Sequence, residues 1–260
     1  MRGVLLAGAA AGLASIAIAL ALTVEPSHRL GVGSVATARA DTDDTVPATE
    51  LIGRSVRGKP IVATRYGDAT SERVALVVGV VHGDEPAGLR IVRALRRIAS
   101  TVEGAQLWVI WTVNPDGVGG HTRKNARGVD LNRNFPYRWR DNVPQSSGYY
   151  PGPRPASEPE TKAVMRFAGR IHPDLSIWYH QPWGAVLACH GKPQVAVHYA
   201  KLVGMGTSCR GEGLRGTAIS WATHAFPGSS AFVVEMPPGE ISGARAERQA
   251  RAALTIAEGR

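Results

Sequence analysis

Cysteine is scarce in this 260-residue chain: it has two, Cys189 and Cys209. Their spacing suits no zinc-thiolate motif, which needs close Cys pairs. The pair is read either as one disulfide or as two buried thiols. A bond closing a loop of about twenty residues would contribute on the order of 3 kcal/mol. Also missing is any Lys/Arg run interleaved with aromatics, although the formal net charge is +9. Nucleic acid is therefore not an expected partner. A basic exported protein meets anionic polymers instead, and cell-wall material is one. Beyond the N-terminal segment there is no internal repeat and no sign of a second domain, so the remainder reads as one domain.

Residues 1–40 differ from the rest. Arg2 precedes an apolar stretch over residues 3–24, and Ala38-Arg39-Ala40 stands before four polar residues. A basic start, an apolar core and a small-x-small site describe a secretory signal. The apolar run is also long enough to span a bilayer as an uncleaved anchor. Either way the expected location is outside the cytoplasm, secreted or associated with the cell envelope. Membrane contact is expected only if the segment is retained. Removing residues 1–40 takes away three Arg and one Glu and leaves the chain basic.

Residues 41–50 read as a polar linker and 51–260 as the one folded domain. Two short apolar stretches flank Arg57-Gly58-Lys59-Pro60, a hairpin signal. Residues 74–81 (VALVVGVV) form a short β-branched run that predicts a buried strand. Helical spacing follows over 86–99, then a second buried strand over 107–113. Strand, helix, strand predicts a βαβ unit and a mostly parallel α/β sheet. Residues 114–156 are rich in Gly, Pro, Asn and Arg and read as one long loop, a length usually tied to function. Asn114-Pro115-Asp116-Gly117 within it reads as a turn. Ser157 and Glu160 predict a capping box for the next helix. Further strands are expected at 175–179 and 231–234, and helices at 193–203 and 244–257.

The chemistry-bearing residues fall at strand ends. His82 follows the first buried strand, His180 the third and Glu235 the last, and Glu85 lies three residues beyond His82. Ligand sites in open α/β sheets form at the carboxyl ends of strands. Two His and one carboxylate can hold one zinc ion and leave a position open. This assigns His82, Glu85 and His180 to the metal and Glu235 to acid–base work. His190, His198 and His224 are rivals with only their proximity in favour. Asp130, Asn132, Arg133 and Asn134 crowd one part of the long loop, and an Arg with an amide neighbour suits a substrate carboxylate.

His82-x-x-Glu85, Asn114-Pro115-Asp116-Gly117, Asp130-Leu131-Asn132-Arg133-Asn134-Phe135, His180 and Glu235, in that order, resemble the zinc carboxypeptidases of the funnelin type, metallopeptidase family M14. Ile52-Gly53-Arg54-Ser55, residues 157–161 and Glu235-Met236-Pro237-Pro238 resemble the murein peptide amidases within it. The resemblance implies a mixed, mostly parallel central sheet with helices on both faces. It implies one zinc ion on His82, Glu85 and His180, with Glu235 as the general base. Asn132 and Arg133 match the pair that holds the substrate carboxylate, and Asp130 the acid that orients the first ligand histidine. Arg123, or else Arg127, matches the group that polarises the scissile carbonyl. The implied substrate is a peptide with a free carboxylate, cut at the γ-D-glutamyl-meso-diaminopimelate bond of peptidoglycan stems. General release of C-terminal amino acids and N-acyl amino-acid deacylation are the alternatives. The larger relatives' mobile tyrosine has no counterpart by position, and residues 221–227 occupy its neighbourhood.

Overall fold

The computed structural model describes residues 47–189 and 192–260. The expected signal or anchor, and His190, lie outside the described residues. Among the described residues, no helix is long and apolar enough to cross a membrane.

Eight strands form one mixed sheet. They are β1 (Ala48–Arg54), β2 (Pro60–Gly67), β3 (Val74–Val80), β4 (Gln106–Thr112), β5 (Leu175–His180), β6 (Ala185–Leu187), β7 (Gly206–Ser208) and β8 (Ser230–Glu235). Their spatial order is β1-β2-β4-β3-β5-β8-β6-β7. The central strands β4, β3, β5 and β8 run parallel. β1, β2 and β6 are joined to their inner neighbours antiparallel. A strand buried on both faces needs apolar side chains at every position, and β3 is buried throughout. Each fully buried Val or Leu there contributes roughly 1.5–3 kcal/mol.

Helices α1 (Ala87–Ile98), α4 (Pro193–Val203) and α6 (Gly243–Ala257) cover one face, where Ile91, Leu95, Tyr199 and Ala253 meet Val77 and Phe232. Helices α3 (Pro159–Ile171) and α5 (Ala218–Ala225) cover the other, with Phe167 and Trp221 against Trp108, Trp178 and Val233. α1 lies very close to β3. A Cβ on Gly88 would fall 1.7 Å from the Gly79 carbonyl oxygen, so only glycine permits this approach.

Several local expectations need correction. β1 begins at Ala48, inside the stretch read as linker, because Ala48–Glu50 pair with Ala63–Arg65. Asn114-Pro115-Asp116-Gly117 is the start of a short helix, α2 (Pro115–Gly120), rather than a turn alone. Asn114 caps it by accepting from Gly117 N at 2.9 Å. The capping box is absent from α3, whose N-cap is Glu158. Ser157 Oγ instead donates to Glu158 Oε1 (2.7 Å), and Glu160 accepts from Val56 N (2.9 Å) and Asn125 Nδ2 (3.2 Å). Both side chains are buried, and Asn134 Nδ2, which donates to Ser157 Oγ (2.9 Å), joins Val56 and Asn125 in outcompeting the capping bonds. Strands β6 and β7, of three residues each, and α5 were not legible. Cys189 and Cys209 are joined as a disulfide, with Cα atoms 5.3 Å apart, tying the end of β6 to the end of β7.

Candidate metal centre

β3, β5 and β8 are consecutive in the sheet and parallel. Their carboxyl ends therefore deliver His82, His180 and Glu235 to one edge, with His180 and Glu235 directly paired in register. The turn after β3 carries Glu85 back beneath them. That turn is locked: Gly83 N donates to Thr122 O at 2.9 Å, and a Cβ on Gly83 would meet the Gly117 carbonyl carbon at 1.9 Å. The start of α2 thus sets where His82 and Glu85 point.

The three expected ligands converge. Glu85 Oε1 lies 2.7 Å from His82 Nδ1, and Glu85 Oε2 lies 2.8 Å from His180 Nδ1. The two Nδ1 atoms are 3.1 Å apart. All three residues are buried, and one donor atom from each lies within 4.8 Å of the others. Two imidazole nitrogens and a carboxylate suit zinc and leave a coordination position free. Asp84 takes no part. His82 Nε2 donates to Asp130 Oδ1 (2.9 Å), which leaves Nδ1 as the free lone pair and turns it toward the cluster. Gln181 closes the rear: its backbone N donates to Glu85 Oε2 (3.2 Å), and its side chain bonds Ala87 N, Pro237 O and Gly239 O.

The charges are strongly coupled. Burial opposes a charge on His82, but Asp130 and Glu85 outweigh it and push the imidazole up to about 9 without metal. Burial likewise opposes charge on Glu85 and Asp130. The histidines beside Glu85, and His82 with Arg123 beside Asp130, hold both carboxyls well below the usual range. Glu235 behaves differently. Burial pushes it above the ordinary carboxylate value, His180 opposes this and Glu85 adds to it. Its Oε2 is buried and has no hydrogen-bond partner. A buried carboxylate oxygen without a donor is costly, and one at a reactive edge points to a group that arrives with substrate.

The long loop supplies the remaining residues. Arg123 sits in the cleft, donating to Asp130 Oδ2 through Nε (3.1 Å) and Nη2 (2.9 Å), and to Glu85 Oε1 through Nη1 (3.2 Å). Arg127 faces away, 3.7 Å from Glu158 Oε2, so of the two candidates only Arg123 lines the cleft. Asn132 and Arg133 line it as well. Asn132 Oδ1 accepts from Ala218 N (2.9 Å), and Arg133 Nη1 donates to Asn132 O (2.7 Å). The rivals are elsewhere: His198 is beside Lys192 at the opposite end of the strands, and His224 stacks on Tyr137 with ring centroids 4.2 Å apart.

Two contributions were not foreseen. Tyr149 is 53% exposed and stands over the cleft, its ring 5.0 Å from the Arg123 guanidinium carbon and 5.4 Å from that of Arg133. Trp221 and Phe226 instead pack into the core, so residues 221–227 supply no aromatic to the cleft. Asn125 braces the loop, its Nδ2 shared between Glu158 Oε2 (2.8 Å) and Glu160 Oε2 (3.2 Å). Nothing in the local sequence around Tyr149 or Asn125 distinguishes them from ordinary loop residues.

A mostly parallel sheet with two imidazoles and a carboxylate gathered at its central edge, and a further buried carboxylate beside them, fits the metal centre of a zinc carboxypeptidase. The chain belongs to the zinc carboxypeptidase family, whose model matches residues 35–203. It is similar to murein peptide amidase A of Escherichia coli (strain K12), 34% identical over 168 residues, covering 60% of this chain and 66% of that protein. It is 32% identical over 158 residues to carboxypeptidase SOL1 of Arabidopsis thaliana, covering 53% of this chain and 29% of that one. The aligned stretches thus span just under two thirds of the first relative's length and under a third of the second's. The crystal structure of murein-tripeptide amidase from Escherichia coli O157 superposes with TM-score 0.65 at 26% identity, covering 85% of this chain and 95% of that chain. Carboxypeptidase A from Helicoverpa armigera shares the fold, with TM-score 0.71 at 18% identity over 83% of this chain and 69% of that one.

Proposed function

We propose that this protein is an exported zinc-dependent peptidase that hydrolyses an amide bond next to a free carboxylate. The favoured substrate is the γ-D-glutamyl-meso-diaminopimelate bond of peptidoglycan stem peptides. The observation that carries this reading is the buried Glu235 Oε2, without a hydrogen-bond partner, beside the convergent His82, Glu85 and His180. The similarity to murein peptide amidases supports the choice of substrate.

His82 Nδ1, His180 Nδ1 and Glu85 would hold the metal. Zinc held there would polarise a carbonyl and acidify water. Glu235, kept weakly acidic by burial, takes the proton of the attacking water and passes it to the leaving amine. Asp130 fixes the His82 tautomer. Arg123 shares Asp130 and Glu85 in the resting state, so its guanidinium is already held at the cleft to meet negative charge developing on the carbonyl oxygen. Arg133, with Asn132, binds the free carboxylate of the departing residue.

The test is digestion of tripeptide and tetrapeptide stems and of ordinary C-terminal peptides, with and without chelator, read by product mass. Chelator-sensitive release of diaminopimelate from the stems alone is expected. Release of standard amino acids from the ordinary peptides alone would replace this reading with that of a general carboxypeptidase.

A further inference from the structure

Beside the metal centre lies a second cavity of about 210 Å³. It shares Arg133, Tyr149 and Leu214 with the active cleft, and none of the three metal-binding residues lines it. Its remaining charged lining groups are Arg140 and Arg215. Among the described residues, no carboxylate lies within ion-pair distance of Arg138, Arg140 or Arg215, although Asp141 and Glu212 are near in sequence.

Like charges do not gather unaided, and here the backbone holds them. Phe135 N donates to Gly216 O (3.0 Å), and Gly216 N donates to Tyr137 O (3.2 Å). Gly216 has φ +65°, and a Cβ there would fall 2.2 Å from the Arg133 carbonyl oxygen. The segment bearing Arg215 is therefore clamped onto the stretch that leads from Arg133 to Arg140. The Cys189–Cys209 bond anchors the start of the same loop. The crowding is felt: Arg140 chiefly, with slight desolvation and Arg138 adding, holds the Arg215 guanidinium below its ordinary value. Positive groups kept together against their repulsion favour an incoming anion.

We infer that Arg140 and Arg215 form a subsite for a second carboxylate, carried on the side chain of the residue that leaves. Arg133 is the wall common to both cavities. With the first carboxylate on Arg133, as the proposed function has it and on which this inference rests, the cavity beyond receives the far end of the same residue. The acyl part of the substrate lies toward His82 and His180, which do not line this cavity. The recognised feature is a leaving amino acid with negative charge at both ends.

The experiment compares kcat/KM for two γ-D-glutamyl peptides that differ only in the leaving residue: meso-diaminopimelate, or lysine, which lacks the distal carboxylate. The zinc-loaded protein should favour the first by about tenfold, the effect of pairing one carboxylate with partly exposed guanidinium groups. Arg140→Ala with Arg215→Ala should bring the ratio toward one, chiefly through KM, and Lys at both positions should restore part of it. A ratio unmoved by the double substitution overturns the subsite. A wild-type measurement stands apart from any folding defect: free meso-diaminopimelate should inhibit about tenfold more strongly than lysine, and equal inhibition also overturns it. If neither γ-glutamyl peptide is cut but ordinary peptides are, the peptidoglycan reading fails alone. The same ratio is then taken with acylated dipeptides ending in glutamate or glutamine. A glutamate preference removed by the double substitution sustains the subsite, and no preference overturns it.

Discussion

His82 Nε2 stands 2.9 Å from Asp130 Oδ1, a bond that ties a strand end to a loop 48 residues further along the chain. Asp130 is fully buried and also anchors Arg123. One carboxylate therefore orients an imidazole of the candidate metal centre and a cleft cation together. Replacing Asp130 by Ala should weaken zinc binding about 10–100-fold, as loss of such outer partners does. Competition with a calibrated chelator measures it, and unchanged affinity would show that His82 is oriented by other contacts.

Glu235 contacts none of the proposed ligands through a hydrogen bond, so its role separates from metal holding. Glu235→Gln should retain one zinc ion per chain and lower kcat by about 10²–10⁴-fold. Metal content by mass spectrometry, alongside a single-turnover assay, distinguishes this from loss of metal. Full turnover in the variant would remove Glu235 from the mechanism.

Zinc must displace the proton that His82 holds in the metal-free protein up to about pH 9. Uptake at pH 8 should release protons into weak buffer, and affinity should fall as pH is lowered. The folded value lies above the ordinary 6.5, so the stability contributed by this proton is complete below 6.5 and lost as pH rises through about 9. Chelator-treated protein should lose Tm between pH 8 and 10 more steeply than zinc-loaded protein. Parallel melting curves over that range would contradict the coupling.

Glu160 supplies a pH effect distant from the metal. Burial raises its carboxyl, and the Val56 N–H and Asn125 only partly offset this. With the folded value raised, its contribution is greatest below the unfolded value of 4.5 and declines as pH rises through the folded value. The Tm advantage of wild type over Glu160→Gln should therefore grow as pH falls from neutral toward 4.5. A pH-independent difference would mean that this carboxyl titrates alike in both states.

Gly83 has no room for a methyl group, because the Gly117 backbone occupies that space. Gly83→Ala should cost about 1–3 kcal/mol through overpacking and should lower activity further by displacing His82 and Glu85. Thermal melting with a parallel assay checks both. A variant as stable and active as wild type would mean that the turn and α2 are not interlocked.

What the sequence determined by itself was the centre of the sheet and what stands at its edge. β3, β5 and β8 are buried on both faces, so they read as short apolar runs, and His82, His180 and Glu235 ended those runs visibly. Periodicity placed α1 and α6, because each turns an apolar side into the core on one face of the sheet. It failed where burial on distant partners redirects a side chain. Ser157 and Glu160 carry a capping pattern but serve Asn134, Val56 and Asn125 instead. It failed again for β6 and β7, too short to show a period. Only the tertiary structure decided that Arg123 rather than Arg127 lines the cleft, that Tyr149 covers it and that Arg215 meets Arg140. These are loop residues brought together by hydrogen bonds between chain segments far apart, and no local pattern of hydrophobicity records such contacts.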